Sequence, residues 1–222
     1  MSGPSRPSRA FVFLANALVG GFAWLVTRLF YPLRVRGREN LPRRGGVLFV
    51  SNHVSFADWL LLTAAARRPV RFLISRTFYV SPWVGPFVRL AHVIPIPPGF
   101  QPHGIARALQ QCGDALRNGD ALCVFAEGGI TRTGRLRPFQ RGFERIVANT
   151  EAPIVPVALA GVWGSIFSFA GGKFFWKWPR RLRRAVIVNF GRPLPPTATA
   201  DEVHAAVEKL LTADGAIRPN SS

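Results

Sequence analysis

His53 and Asp58 stand five positions apart in the run Asn52-His53-Val54-Ser55-Phe56-Ala57-Asp58, a spacing that suits acid–base chemistry. An imidazole with one nitrogen tied to a carboxylate keeps the other available to take a proton from a substrate hydroxyl. The pair works only if the chain between them turns the carboxylate back toward the ring. Flanking residues predict such a turn. Val47-Leu48-Phe49-Val50 reads as a buried strand, and Trp59-Leu60-Leu61-Leu62 opens a helix. His53 therefore leaves a strand end and Asp58 lies near a helix start. The same residues also have ordinary uses, since an aspartate there is a helix N-cap and a lone strand-end histidine is commonly plain surface or core.

A second candidate element follows some 70 residues later. Ala121 to Phe125 reads as a buried strand, and Ala126-Glu127-Gly128-Gly129-Ile130-Thr131-Arg132-Thr133-Gly134 is the loop it enters. Ligands of α/β proteins gather where strands end at the carboxyl edge of a parallel sheet. Gly128 and Gly129 let the backbone approach a ligand and turn N–H groups toward an anion. Arg132, with Arg135 and Arg137 nearby, has the fork that holds a phosphate through two hydrogen bonds. Without a ligand, the same loop is a glycine-rich turn with solvated charges.

Positioning these groups requires a sheet, and the chain predicts one. Strand-like runs recur at 46–51, 70–75, 92–96, 121–125, 154–160 and 185–190, with Leu33–Arg38 as a short edge strand. Helix-like stretches fall between them at 58–67, 83–90, 103–118, 141–149 and 200–212. The alternation predicts a single α/β domain with a largely parallel central sheet flanked by helices. We read 1–9 as a disordered tail, 10–30 as an N-terminal membrane-associated helix, 31–215 as the catalytic domain and 216–222 as a second tail. A chain of 222 residues, 48% hydrophobic and 18% charged, has ample core for one domain and is not a disordered polymer.

The net charge of +18, carried by 26 arginines among 29 basic residues, points to polyanionic partners. Ala10 to Thr27 is an uncharged stretch of 18 residues. As a helix it spans roughly 27 Å at about 1.5 Å per residue, near the hydrocarbon thickness of a bilayer. Asn16, Gly20 and Gly21 weaken it as a span, so it reads as either embedded or lying in the interface. Between Gly161 and Arg184, aromatic residues interleave with basic ones, among them Phe169, Trp176, Trp178, Lys173, Arg180 and Arg184. Such mixtures suit a headgroup layer or single-stranded nucleic acid. The hydrophobic helix in the same chain favours the membrane, and we expect no nucleic acid partner.

Other chemistries lack their residues. There is no Gly-x-Ser-x-Gly elbow, and Ser51 and Ser55 read as strand-end and turn residues. His92, His103 and His204 show no metal-ligand spacing, so neither a metal nor another cofactor is expected. Cys112 and Cys123 read as buried free thiols.

Taken in order, these blocks resemble the glycerolipid acyltransferase family, which includes 1-acylglycerol-3-phosphate acyltransferase and the lysophospholipid acyltransferases. Its first block, Asn-His-x-x-x-x-Asp, is matched at Asn52, His53 and Asp58. Its third, Phe-Pro-Glu-Gly-Thr-Arg-Ser, is matched at Phe125, Glu127 and Gly128, and its apolar fourth block by Ile154 to Leu159. Ala126 replaces the proline, while Gly129 and Ile130 stand where the family has threonine and arginine. The form Glu-Gly-Gly-Ile-Thr-Arg-Thr-Gly is closer to the loop of 2-acylglycerophosphoethanolamine acyltransferases. The second block normally ends in a basic residue, absent from Val93 to Pro98, a gap for which Arg76 and Arg89 are candidates.

The resemblance implies a membrane-associated O-acyltransferase. It would move an acyl group from an acyl thioester, on coenzyme A or acyl carrier protein, to a lysophospholipid hydroxyl at the cytoplasmic face of a membrane. The default acceptor is 1-acylglycerol-3-phosphate, with a lysophosphatidylethanolamine type as runner-up. His53 and Asp58 are then catalytic, and Asn52, Glu127, Gly128, Gly129, Thr131 and Arg132 bind substrate. The competing class is a non-enzymatic protein that binds polyanions or membranes.

Overall fold

Apolar runs in the chain become the strands of one sheet in the computed structural model, which describes residues 9–80, 93–97, 99, 101–172 and 185–213. The elements are α1 (Arg9–Phe30), β1 (Leu33–Arg36), β2 (Val47–Ser51), α2 (Asp58–Ala66), β3 (Val70–Ser75), α3 (Arg76–Tyr79) and β4 (Ile94–Ile96). After them come α4 (Pro102–Arg117), β5 (Ala121–Phe125), α5 (Gly142–Val147), β6 (Ile154–Ala160), β7 (Val186–Phe190) and α6 (Ala200–Ala213). The helix expected at 83–90, the aromatic-basic residues 173–184, Arg89, His92 and most of both predicted tails lie outside the described residues.

Strand order is β1-β7-β6-β2-β5-β3-β4. Among the described residues every strand pairing is parallel except β6 with β7, which is antiparallel. The predicted α/β domain with a largely parallel sheet is what forms, with β1 at one edge. Strands β2 and β6 are buried at every position, as expected of central strands covered on both faces. Alternate residues supply the two cores. Leu48, Val50, Leu122, Ile154 and Ala158 pack against α4, α5 and α6 on one face. Val47, Phe49, Cys123, Val155 and Val157 pack with Leu61, Leu62 and Ala65 of α2 on the other.

At the amino edge of the sheet, one arginine ties several loops. Arg68 donates to the carbonyls of Pro42 and Gly45 at 3.0 Å each and of Gly119 at 2.9 Å. The opposite, carboxyl edge is where β2, β5 and β6 all release their chains, and it carries the candidate chemistry.

Outside the two cores, α1 packs on α2. Ala23 and Thr27 of α1 are buried, whereas Leu18, Phe22, Leu25 and Leu29 are each about half exposed or more. Positions 18, 22, 25 and 29 follow the three-to-four spacing of a single helical face. Among the described residues no helix is long and apolar enough to cross a membrane, which leaves the spanning alternative without support.

Candidate active site

The turn after β2 folds Asp58 back onto His53. Nδ1 of the imidazole lies 2.9 Å from Asp58 Oδ2. That oxygen also accepts the backbone N–H of Val54 at 2.6 Å and of Ser55 at 2.9 Å, while Oδ1 accepts the Ser55 hydroxyl at 2.7 Å. Asp58 is wholly buried, and His53 retains 19% side-chain exposure. A carboxylate bound by this many donors acts only as an acceptor, so the Asp58-facing Nδ1 carries the ring proton. Nε2 then presents its lone pair, and among the described residues nothing bonds to it. The Ser55 hydroxyl also accepts the N–H of Ala57 at 3.1 Å. Ser55 therefore orients the aspartate, a role its reading as a turn residue did not reveal.

The plane of the ring is set from below. His53 stacks on Phe125, the last residue of β5, with centroids 4.0 Å apart and planes 11° from parallel. Because β2 and β5 pair in register, with Ser51 opposite Phe125, the two strand ends deliver ring and imidazole to the same place. Only the parallel pairing makes this visible. Phe125 entered the sequence reading only as a strand end and a motif match.

Glu127 and Asn52 are spent on positioning. Glu127, 2% exposed, accepts the backbone N–H of His53 at 2.8 Å and of Arg137 at 3.2 Å. Burial raises its carboxyl above the ordinary carboxylate range, while these two backbone bonds pull the other way. The Asn52 side chain bonds the backbone of Leu159 in both directions, donating to its carbonyl at 3.1 Å and accepting its N–H at 2.8 Å. It thus serves as a strand partner for β6 just where β2 has stopped.

The 127–137 loop is fastened beside the base. Thr131 N–H donates to the His53 carbonyl at 2.8 Å, and the buried Thr131 hydroxyl donates to the Arg135 carbonyl at 2.9 Å. Gly128 has φ +72°, and Gly134 has φ +78° with the Trp163 ring so close that a Cβ would meet it at 2.7 Å. Arg132 is exposed, its guanidinium carbon 5.2 Å from the Phe169 ring centroid. A small cleft of about 50 Å³ opens under this loop, walled by Asn52, Glu127, Thr131, Arg135, Trp163 and Leu211 among others. His53 is not one of its walls, whereas its chain neighbours Asn52 and Val54 are.

Of the predicted residues, His53 is thus joined by hydrogen bonds to Asp58, Glu127 and Thr131. Asn52 precedes it in the chain and is tied to Leu159, and Gly128, Gly129 and Arg132 lie on the same loop as Glu127 and Thr131. The remaining candidates stand elsewhere. Arg76 is exposed at the start of α3, His103 is exposed on α4, and His204 packs edge-on against Phe139. Both cysteines are buried and free. Burial pushes the Cys112 thiol up to about 12 and raises that of Cys123 as well, so neither is a nucleophile.

Comparison with known proteins agrees with this arrangement. A family model described as Acyltransferase matches residues 32–160, and these bounds enclose both catalytic candidates and the 127–137 loop. The chain is 32% identical over 133 residues to the 1-acyl-sn-glycerol-3-phosphate acyltransferase BAT2, chloroplastic, of Brassica napus, covering 60% of this chain and 38% of that protein. It is 27% identical over 153 residues to the 1-acyl-sn-glycerol-3-phosphate acyltransferase of Bacillus subtilis, covering 67% and 70%. The chain thus matches well under half the length of the plant relative. The crystal structure of the 1-acyl-sn-glycerophosphate acyltransferase PlsC from Thermotoga maritima superposes with a TM-score of 0.71 at 22% identity, over 95% of this chain and 82% of that one. The fold is shared.

Proposed function

This chain belongs to the acyltransferase family, and we propose that it acylates a lysophospholipid, with 1-acylglycerol-3-phosphate as acceptor and an acyl thioester as donor. The observation that carries the reading is the 2.9 Å bond between His53 Nδ1 and buried Asp58, with Nε2 unengaged at the carboxyl edge of the sheet. Nε2 takes the proton of the acceptor hydroxyl while its oxygen attacks the thioester carbonyl. A C–O bond forms, a tetrahedral oxyanion passes, and the C–S bond breaks. The departing thiolate, of coenzyme A or acyl carrier protein, recovers the proton from Nε2. Asp58 stabilises the positive charge that the ring carries in between.

The loop residues divide by what is left on them. Gly129 N–H has no hydrogen-bond partner among the described residues and is our candidate donor to the oxyanion. Arg132 is the candidate phosphate cation, one residue after Thr131, whose N–H is bound to the His53 carbonyl. Asn52, Glu127 and Thr131 support substrate binding by holding backbone in place. A panel of lysophosphatidic acid, lysophosphatidylethanolamine and an ornithine-type lyso-lipid, assayed with one acyl-coenzyme A, tests the acceptor. Lysophosphatidic acid should give the highest kcat/KM. Preference for the ethanolamine lipid would favour the runner-up suggested by the Ile130-Thr131-Arg132-Thr133 loop. No transfer to any of them would leave only polyanion binding.

The membrane enters through α1. The exposed stripe Leu18, Phe22, Leu25 and Leu29, with Arg28, Arg34 and Arg36 exposed nearby, suits a helix lying in the headgroup layer of an anionic, cytoplasm-facing leaflet. Replacing Phe22 and Leu25 together by serine should lower binding to anionic phospholipid vesicles at least tenfold in a sedimentation assay. The apolar transfer energy of two large side chains, about 1.5–3 kcal/mol each, is ample for that. Unchanged sedimentation would remove α1 from the membrane contact.

A further inference from the structure

Arg132 lies two places beyond the position where the resembled motif carries its arginine, and an aromatic ring is what holds it. Its guanidinium carbon sits 5.2 Å from the Phe169 centroid, within cation–π range. Among the described residues it has no carboxylate partner. That difference matters for a phosphate ligand. A carboxylate would neutralise the cation and compete for its N–H fork, whereas a ring face attracts the charge and leaves the fork available.

Phe169 is itself referred to the catalytic turn. Phe56 N–H donates to the Phe167 carbonyl at 3.0 Å, and Ser55 and Ser168 form an antiparallel bridge. The Ser168 hydroxyl accepts from Gly164 N–H at 3.0 Å and donates to the Ser165 carbonyl at 2.8 Å. On the other side, Arg132 directly follows Thr131, whose N–H is bound to the His53 carbonyl. Ring and cation are thus both anchored to the segment 53–56, one from each flank. An arginine on an exposed loop otherwise spreads over many rotamers, and ordering it upon binding costs affinity.

We propose that Phe169 is a positioning residue that holds Arg132 as the acceptor's phosphate-binding cation, in place of the arginine missing from position 130. The proposal rests on the lysophospholipid reading above. Two loops from different strands, after β5 and after β6, then share recognition of the headgroup.

A double-mutant cycle with lysophosphatidic acid tests it. Arg132→Ala should raise the acceptor KM about 10–100-fold, the usual range for a lost charge-assisted pair. Phe169→Leu should raise it about two- to fivefold, with kcat and the KM for the acyl-coenzyme A donor unchanged, and Phe169→Tyr should restore it. In the Arg132→Ala background, Phe169→Leu should add nothing further. Additive effects, or a fall in kcat shared by both substrates, would mean a packing role only and overturn the proposal. So would an unmoved acceptor KM in Phe169→Leu. Failure of the unaltered protein to acylate any phosphate-bearing acceptor would overturn the functional reading and this proposal together, whereas the preceding outcomes overturn the proposal alone.

Discussion

His53→Ala should lower kcat by about 10²–10⁴-fold, the range a positioned general base supplies, while the protein stays folded and bound to vesicles. The fold survives because, among the described residues, the imidazole makes one hydrogen bond, to Asp58, and one stacking contact, with Phe125. Asp58 keeps its three donors from Val54 and Ser55, so no buried charge is stranded. The acceptor KM should move little, since the ring acts on the proton in flight and not on the resting lipid. Thiol release from acyl-coenzyme A, followed beside thermal unfolding, measures both quantities. Turnover within a factor of two of the unaltered protein would end the assignment of the base.

Asp58 separates chemistry from architecture through two substitutions. Asp58→Asn should fold and still lose about 10²–10⁴-fold in kcat. Its amide oxygen can keep the bonds to Val54, Ser55 and Nδ1, while its NH₂ donates to Ser55 Oγ, a hydroxyl able to turn from donor to acceptor. What disappears is the negative charge beside the developing imidazolium. Asp58→Ala should lose at least as much activity and also about 3–5 kcal/mol of stability, because buried donors are left unpaired. Denaturant melts beside kcat values check the contrast. An active Asp58→Asn would reduce the carboxylate to a helix-start residue and remove it from the mechanism.

Much of this arrangement was legible before any coordinates. Periodicity and run length place β2, β3, β5, β6 and β7 to within a residue or so, because buried strands in a parallel sheet are continuous apolar runs. Spacing alone raised the His53–Asp58 pair. What stayed hidden depends on contacts between distant segments. Stacking of Phe125 on His53 needs the β2–β5 register, and the Asn52–Leu159 bonds need β6 to lie beside β2. Antiparallel β7 carries no local mark of its direction. Pro156 in central β6 runs against the usual confinement of proline to sheet edges, yet the apolar run around it still marks the strand. Glu127 illustrates a different limit. Its motif match pointed to substrate, but both carboxylate oxygens face backbone N–H groups, and only geometry distinguishes a ligand contact from a brace.

The graft of the Asn52 amide onto the Leu159 backbone reaches beyond the site itself. A turn spliced in this way is fastened to two central strands at once, so the proton acceptor rides on the middle of the sheet. Accommodation of different headgroups or acyl chains must then fall to the surrounding segments. Divergence of such chains toward new lipids can proceed by remodelling those rims while the reactive nitrogen keeps its address.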